Sequence, residues 1–559
     1  MMKKRMTQIL GIIMTFTMAI GMIGCGDQKT SSDDKTKQKD EVDNSSDKQQ
    51  DSGQQNDDAD EDITYPLDTT DTLTFWSKNQ IKPSSSYSDY TESPFHTKLA
   101  ENTGVEVEWQ FPAEGAEATQ AYNLLLTENE LPDIIFTDMT AGDAEILIND
   151  GVIYDLTEYL PKYAPDYWAR LHEEKYERVC HAVTTSSGGF YGVEGLSSDP
   201  FVSTYVGPVV RQDWLEECGL DEPVTMEDWE EMLVAFKDKY NATFGFYTER
   251  LNNYGMGSGT GAYSTFKTGN GFYIDENGKV QLAQVQEEWK EYVSYLHKWW
   301  DMGLIDKDSL TMDDAAVRTK VLNNQIGASF TSLGQLTAWG TDAETEENGA
   351  NWIGVSYPRT AEGEPTCMIQ TSYSLDTGWC AVVTTSCSEE KLITALKWLN
   401  YGYTEEGKMF WNFGTEGESY YLDENGEPQW SELITEDPDG IVEARSKYTG
   451  AYGCAPAVGH VNVVKNSFSE AAINAVDNWI DNTEAKEHIL PSLSRTEDEN
   501  TRFTDLMSAI STYVEQMGVK FMTGDESLDN FDAFVKELNE MGLQEVLEIQ
   551  QYAYDRYMK

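Results

Sequence analysis

The sequence predicts an α/β protein of two lobes, and two observations carry that expectation. Leu73-Thr74-Phe75-Trp76, a helix-forming stretch Ser93 to Asn102, the alternating Val105 to Trp109, a second helical stretch Ala116 to Thr127 and the apolar Pro132 to Phe136 follow one another. Strand, helix, strand, helix, strand implies a parallel sheet with right-handed crossovers. The chain has 559 residues, and the roughly 500 that follow a leader and a polar stretch are too many for one hydrophobic core. The chain as a whole is 39% hydrophobic and 12% aromatic, a globular composition with enough residues for two lobes.

Residues 1–24 read as an export signal. Lys3, Lys4 and Arg5 precede the apolar run Ile9 to Ile23, which is shorter than the roughly 18 to 20 residues a bilayer span needs. Gly24-Cys25 resembles the lipobox of bacterial lipoproteins, with Met22 where Leu is commonest. The resemblance implies that Cys25 carries a diacylglyceryl group, begins the mature chain and holds the body on the outer face of the cell membrane. An ordinary cleaved signal whose cysteine falls at the junction by chance is the alternative. Residues 25–62 follow as an acidic tether: Asp27 to Asp62 is almost wholly Asp, Lys, Ser, Gln and Asn without an aromatic residue, which cannot offset chain entropy by burial.

Within the body, Gly104 is expected to end the first helix, and Ala121, Leu124 and Leu125 to line one face of the second. Ligands sit outside the carboxyl ends of the strands in such sheets, which places Trp76, Ser77, Asn79, Thr137 and Asp138 at a rim. Further on, Thr225 can cap a helix with Asp228 at its third position, burying Trp229, Leu233, Phe236 and Tyr240. Trp289, Tyr292, Val293, Leu296, Trp299 and Trp300 form a helical stripe closed by Gly303, read as core rather than ligand contacts. Trp379 to Thr384 reads as a strand and Glu389 to Tyr401 as a helix after it.

Several of these stretches carry a family resemblance. Leu131 to Phe136, Gly151 to Thr157, Gly189-Phe190-Tyr191-Gly192-Val193, Arg211-Gln212-Asp213-Trp214-Leu215 with Cys218-Gly219-Leu220, and Pro223 to Trp229 resemble, in order, motifs of the extracellular solute-binding proteins (family 1) of carbohydrate ABC transporters. Glu405-Glu406-Gly407, Gly414 to Tyr420 and Tyr552 to Tyr557 are similar to the LplA-like lipoprotein subgroup. The resemblance implies a type II periplasmic-binding-protein-like fold, with residues 63–188 and 378–485 as the first lobe and 189–377 and 486–559 as the second. Hinge strands near Gly189 to Glu194 and Gln370 to Trp379 would join them around a ligand cleft. It further implies a sugar or oligosaccharide as ligand, ABC permease subunits as partners, a monomer, and a function without catalysis.

The expected ligand contacts are Trp76, Asn79 and Asp138 from the first lobe, and Tyr205, Asn253, Tyr254, Thr331, Ser332 and Gln335 from the second, with Trp411 and Glu416 nearby. Aromatic rings cover the apolar faces of a sugar while carboxylates, amides and hydroxyls bond its rim. Each has a bland alternative: core packing for the tryptophans, a helix cap for Asp138, a loop salt bridge for Glu416. Arg211 is expected to fix a helix start rather than bind ligand.

Charge and motifs exclude other classes. Formal net charge is −58, of which the tether holds only −8, so the body itself repels nucleic acid. It disfavours anionic ligands too unless a basic pocket captures them, for which Lys78 and Arg250 are the candidates. Cys180, Cys218, Cys367, Cys380, Cys387 and Cys454 show no CxxC pair and no interleaved histidines, which argues against zinc. Their pairing stays open, and buried small hydrophobes are the expectation. No cofactor is expected. Gly257-Ser258-Gly259-Thr260-Gly261-Ala262 satisfies GxGxxA but lacks the strand before and the helix after. Asp275-Glu276-Asn277-Gly278 and Asp423-Glu424-Asn425-Gly426 read as hairpin turns rather than calcium loops. A glycoside hydrolase, needing only two spaced carboxylates, and a peptide or nutrient-sensing receptor remain as other readings.

Overall fold

Two large hydrophobic cores, each built on its own sheet, and a small third one around Phe413 and Trp430 organise the described residues between Tyr65 and Lys559. The computed structural model describes residues 63–78, 92–113, 117–197, 199, 201, 204, 206–246, 271–341, 349–363, 379–438, 440–450, 456–480 and 488–559. The signal, Cys25, the whole tether, Asn79, Tyr205, Arg250, Asn253, Tyr254, the glycine loop 257–262, Cys367, Cys454 and the second hinge before Trp379 lie outside these residues.

The strands, in chain order, are β1 (Thr72–Ser77), β2 (Glu106–Gln110), β3 (Ile134–Asp138), β4 (Val193–Glu194), β5 (Val206–Arg211), β6 (Thr243–Phe244), β7 (Phe272–Ile274), β8 (Val280–Leu282), β9 (Ile326–Ser332), β10 (Trp352–Gly354), β11 (Trp379–Val383), β12 (Tyr420–Leu422) and β13 (Pro428–Trp430). The first sheet runs β2-β1-β3-β11-β4. Its opening three strands are parallel, as the alternation of strands and helices predicts, and β11 enters antiparallel between β3 and β4. The second sheet runs β10-β5-β9-β6, with β5 antiparallel to both β9 and β10.

Local chemistry explains the element ends. Helix Pro94–Thr103 opens on proline, whose missing N–H is no loss there, and stops at Gly104 with φ 73°. A Cβ at Gly104 would collide with the Leu67 backbone. Helix Met226–Tyr240 carries the expected box: the Thr225 hydroxyl accepts from the Asp228 amide at 3.1 Å and the Asp228 carboxylate accepts from the Thr225 amide at 2.8 Å. Its Trp229, Leu233 and Phe236 enter the second core while Tyr240 stacks on Trp214 with centroids 4.2 Å apart. The stripe from Trp289 to Trp300 is core, as predicted.

The two Asp-Glu-Asn-Gly segments fold alike. In each, the aspartate Oδ1 accepts from the amides two and four residues on, and the segment turns one antiparallel strand into the next, β7 into β8 and β12 into β13. The hairpin reading therefore holds at both.

Three expectations are corrected. Leu124 is 67% exposed, because the helix Ala118–Leu125 turns Leu125 inward in its place. Val193 and Glu194 do not leave the first lobe: they pair with Ala381 and Cys380 in the first sheet, and Leu196 still belongs to the first core, so the crossing falls after Leu196. Helix Glu470–Trp479 packs in the second core rather than the first. Its Trp479 ring fills the space that a side chain at Gly207 would need, Ala475 does the same at Gly354, and Trp479 Nε1 donates to the Pro208 carbonyl at 3.1 Å.

Of the described cysteines, Cys380 and Cys387 are buried and Cys180 and Cys218 half-buried, all as free thiols. Among the described residues no helix is long and apolar enough to cross a membrane.

Candidate ligand-binding site at the strand ends

The parallel strands β1 and β3 finish side by side, with Ser77 in register with Phe136, and β11 begins at the same edge with Trp379 opposite Asp138. This edge gathers charge and ring surface. Lys78 Nζ bonds Asp138 Oδ1 at 2.5 Å, with the two side chains 11% and 49% exposed. The ammonium also lies 5.8 Å from the centre of the Tyr122 ring. Trp379 is half-buried and packs on Phe136 at 5.7 Å. Burial first, then the negative charge of Asp143, Cys380 and Asp138, pushes the Tyr122 phenol well above its ordinary range.

The edge is anchored from below by Asp133, just before β3. Its carboxylate accepts from the Thr74 amide at 2.8 Å, the Thr74 hydroxyl at 3.0 Å and Lys391 Nζ at 2.6 Å. Burial pushes this carboxyl up, but Lys391 and Thr74 together outweigh it and hold the pKa below the ordinary value. The register of β1 against β3 is thereby pinned by a buried carboxylate.

In the second sheet, β9 ends at Ser332, in register with Val206 at the start of β5. Here the polar atoms serve the fold. Gln335 Oε1 accepts from the Thr331 hydroxyl at 2.5 Å and from the Ser332 amide at 3.2 Å, while the Ser332 hydroxyl accepts from the Gln335 amide at 3.2 Å. Gln335 Nε2 donates to Asp314. This is a reciprocal cap on helix Leu333–Thr341, and Thr331 and Ser332 are buried. Thr331, Ser332 and Gln335, expected as ligand contacts, thus have their polar atoms bonded to one another in this cap.

Trp411 has the surroundings that its core-packing alternative describes. It is 5% exposed inside the first core, edge-on to Phe95 at 5.1 Å, with Gly450 against its ring. Trp76 is equally buried, its ring 6.0 Å from Tyr122, so it backs the edge instead of facing out. Glu416 is exposed on the turn into β12, where its charge adds to burial in raising the Tyr420 phenol. Arg211 is structural, as expected: it bonds Asp213 at 2.8 and 2.6 Å and Asn324 at 2.6 Å and lies 4.1 Å over Trp214. Of the predicted contacts Trp76 and Asp138, the two first-lobe ones among the described residues, Asp138 is the accessible one. Tyr122 and Trp379 join it, residues whose sequence context, a helix and a strand start, gives no sign of a site.

Known proteins resemble this arrangement over most of its length. Residues 84–409, more than half of the chain, match the family model described as bacterial extracellular solute-binding protein. The fructooligosaccharide ABC transporter substrate-binding protein FusA of Streptococcus pneumoniae is 22% identical over 528 residues, covering 89% of this chain and 92% of that one. Lipoprotein LipO of Bacillus subtilis is 24% identical over 339 residues, 59% of this chain and 64% of its own. Among solved structures, the alginate-binding protein AlgQ2 without calcium ion superposes with a TM-score of 0.67 at 19% identity, covering 89% of this chain and all of that one, so the two share a fold. With a family match over more than half of its length, taking in strands of both larger sheets, the chain belongs to the bacterial extracellular solute-binding proteins.

Proposed function

We propose that this protein captures an uncharged oligosaccharide between its lobes and hands it, chemically unaltered, to the permease of an ABC importer, while lipid on Cys25 holds it at the outer face of the cell membrane. The observation that carries this reading is the edge where β1, β3 and β11 meet. Ring surface from Tyr122 and Trp379 stands beside the Lys78–Asp138 pair, matching the apolar faces and hydroxyl rim of a sugar. Similarity to FusA along nearly the whole chain supports the same ligand class. Lys78 is the described candidate for holding an anionic sugar, and its pairing with Asp138 at 2.5 Å favours a neutral one.

A thermal-shift screen of the full-length protein against neutral fructooligosaccharides such as kestose, and against oligouronides, tests the reading. A ligand at a hundredfold excess over its Kd stabilises by about 2.7 kcal/mol, and chromatography of the recovered sugar shows whether it was cut. A shift with a neutral sugar recovered intact supports the proposal. Cleavage of the sugar, or a shift with oligouronides alone, overturns it.

A further inference from the structure

The two cores are joined by more than the chain that crosses between them. Helix Glu497–Thr523 packs along helix Glu287–Asp301 of the second core, yet its first turns rest on the first lobe. Asn500, buried, donates from Nδ2 to Asp143 Oδ1 at 3.1 Å. Asp143 lies in the first turn of helix Ala141–Asn149, and its Oδ2 accepts from the capping Thr140 hydroxyl at 2.7 Å. Thr140 follows Asp138, the accessible residue of the ligand edge, by two positions.

The fit is tight on both sides of Asn500. Its amide oxygen accepts from Arg495 Nε at 3.1 Å, and Arg495 in turn bonds Gln550 at 3.0 Å and covers the Phe503 ring at 4.1 Å. Opposite stands Gly142, where an added Cβ would come within 2.7 Å of Asn500 Cγ. The neighbouring ties agree. Ser494 donates to the Thr184 carbonyl, Arg556 bonds both Glu499 and the Ser494 carbonyl, and the Tyr557 ring packs on His181 at 4.3 Å.

We infer that Asn500 seated on Gly142 is a noncovalent pivot through which the long helix of the second lobe positions the ligand edge of the first. Asn500 and Gly142 act as positioning residues: they touch no ligand, and they set the angle at which β3 and its following helix meet the opposite lobe. A packed contact of this kind passes rotation from one rigid element to the next because neither side can give by a methyl's width. The consequence for binding rests on the capture reading above, but the test does not, since it needs no sugar.

Small-angle X-ray scattering of the ligand-free, full-length protein reads the pivot directly. Gly142→Ala is expected to shift the radius of gyration away from the wild-type value by prising the two helices apart. The double variant Gly142→Ala with Asn500→Ala is expected to return it toward the wild-type value, because removing the amide clears the two shortest contacts, at 2.7 and 2.9 Å, and leaves only the Cβ at 3.0 Å. Amide hydrogen exchange in 141–149 should stay at wild-type protection in Gly142→Ala if the lobes turn as rigid bodies. Asn500→Ala alone, which adds no atoms, is expected to fold and to raise the radius of gyration by loosening the seat. An unchanged scattering curve in both single variants, a double variant that does not return, or lost protection in 141–149 would overturn the pivot in favour of a merely local packing role.

Discussion

At the end of the first sheet Lys78, Asp138, Tyr122 and Trp379 present charge and ring surface, whereas at the end of the second the hydroxyl of Thr331, the hydroxyl of Ser332 and the amide of Gln335 are turned on one another to close a helix. Both edges hold polar residues at the carboxyl end of a strand, the place where ligands gather in open α/β sheets. What separates them is whether the polar atoms already have partners within the fold. A buried polar group that is satisfied by a cap contributes order, and breaking that cap to reach a ligand would cost about as much as the ligand returned. On the proposed reading the described edge of the first lobe is therefore the recognition surface, while the described strand end of the second holds its helix cap.

The largest effect that would sharpen this contrast lies in the cores beneath the two edges. Trp479→Ala removes the ring that fills the space over Gly207, and Trp411→Ala removes one packed on Phe95. Each is expected to cost about 3–5 kcal/mol, the range for large aromatic truncations. Chemical denaturation followed by tryptophan fluorescence measures it. If Trp411 were instead a ligand contact, its truncation would spare stability and abolish affinity.

Next in size is the anchor under the first edge. Asp133→Asn leaves Lys391 without its carboxylate and is expected to cost about 2–3 kcal/mol, the scale of charged hydrogen bonds. The sign with pH follows from the lowered pKa. The ionised group contributes its full stability above the unfolded carboxylate value of about 3.9 and loses it as pH falls through the lower folded value. Wild type should therefore lose stability steeply below about pH 4, and the variant should show a shallower slope in the same acid titration.

The smallest effects discriminate the edges themselves. Gln335→Ala is expected to cost about 1 kcal/mol of stability, as capping losses do, and to leave the affinity for a bound sugar unchanged. Asp138→Ala is expected to do the reverse, weakening binding with a thermal midpoint near wild type in the absence of sugar. Calorimetric titration of both variants with the same saccharide measures the pair, and equal losses of affinity would erase the distinction.

Much of the fold was legible because its causes are local. The box at Thr225 and Asp228, the stop at Gly104, the clamp of Arg211 on Asp213 and the two Asp-Glu-Asn-Gly hairpins all act within a few residues, so pattern reveals them. The allegiance of helix Glu470–Trp479 was not, since it is decided by glycines at 207 and 354, far away in the chain. The same holds for Glu194, whose pairing with Cys380 crosses nearly two hundred positions and keeps it in the first sheet. The site divides along the same line. Asp138 at a strand end was readable, but Tyr122 and Trp379 reach the edge only through tertiary register. Ser332 and Gln335 show the opposite case: a Ser-x-x-Gln spacing is a capping signature in its own right, and here it closes a helix at a strand end.

Isothermal titration of the full-length protein with kestose, followed by chromatography of the sugar recovered from the cell, tests the capture of an intact neutral saccharide most directly. The account predicts saturable heat with one site and a sugar of unaltered length. Heat that continues after saturation together with shortened sugar, or no heat with any neutral oligosaccharide tried in its place, would contradict it.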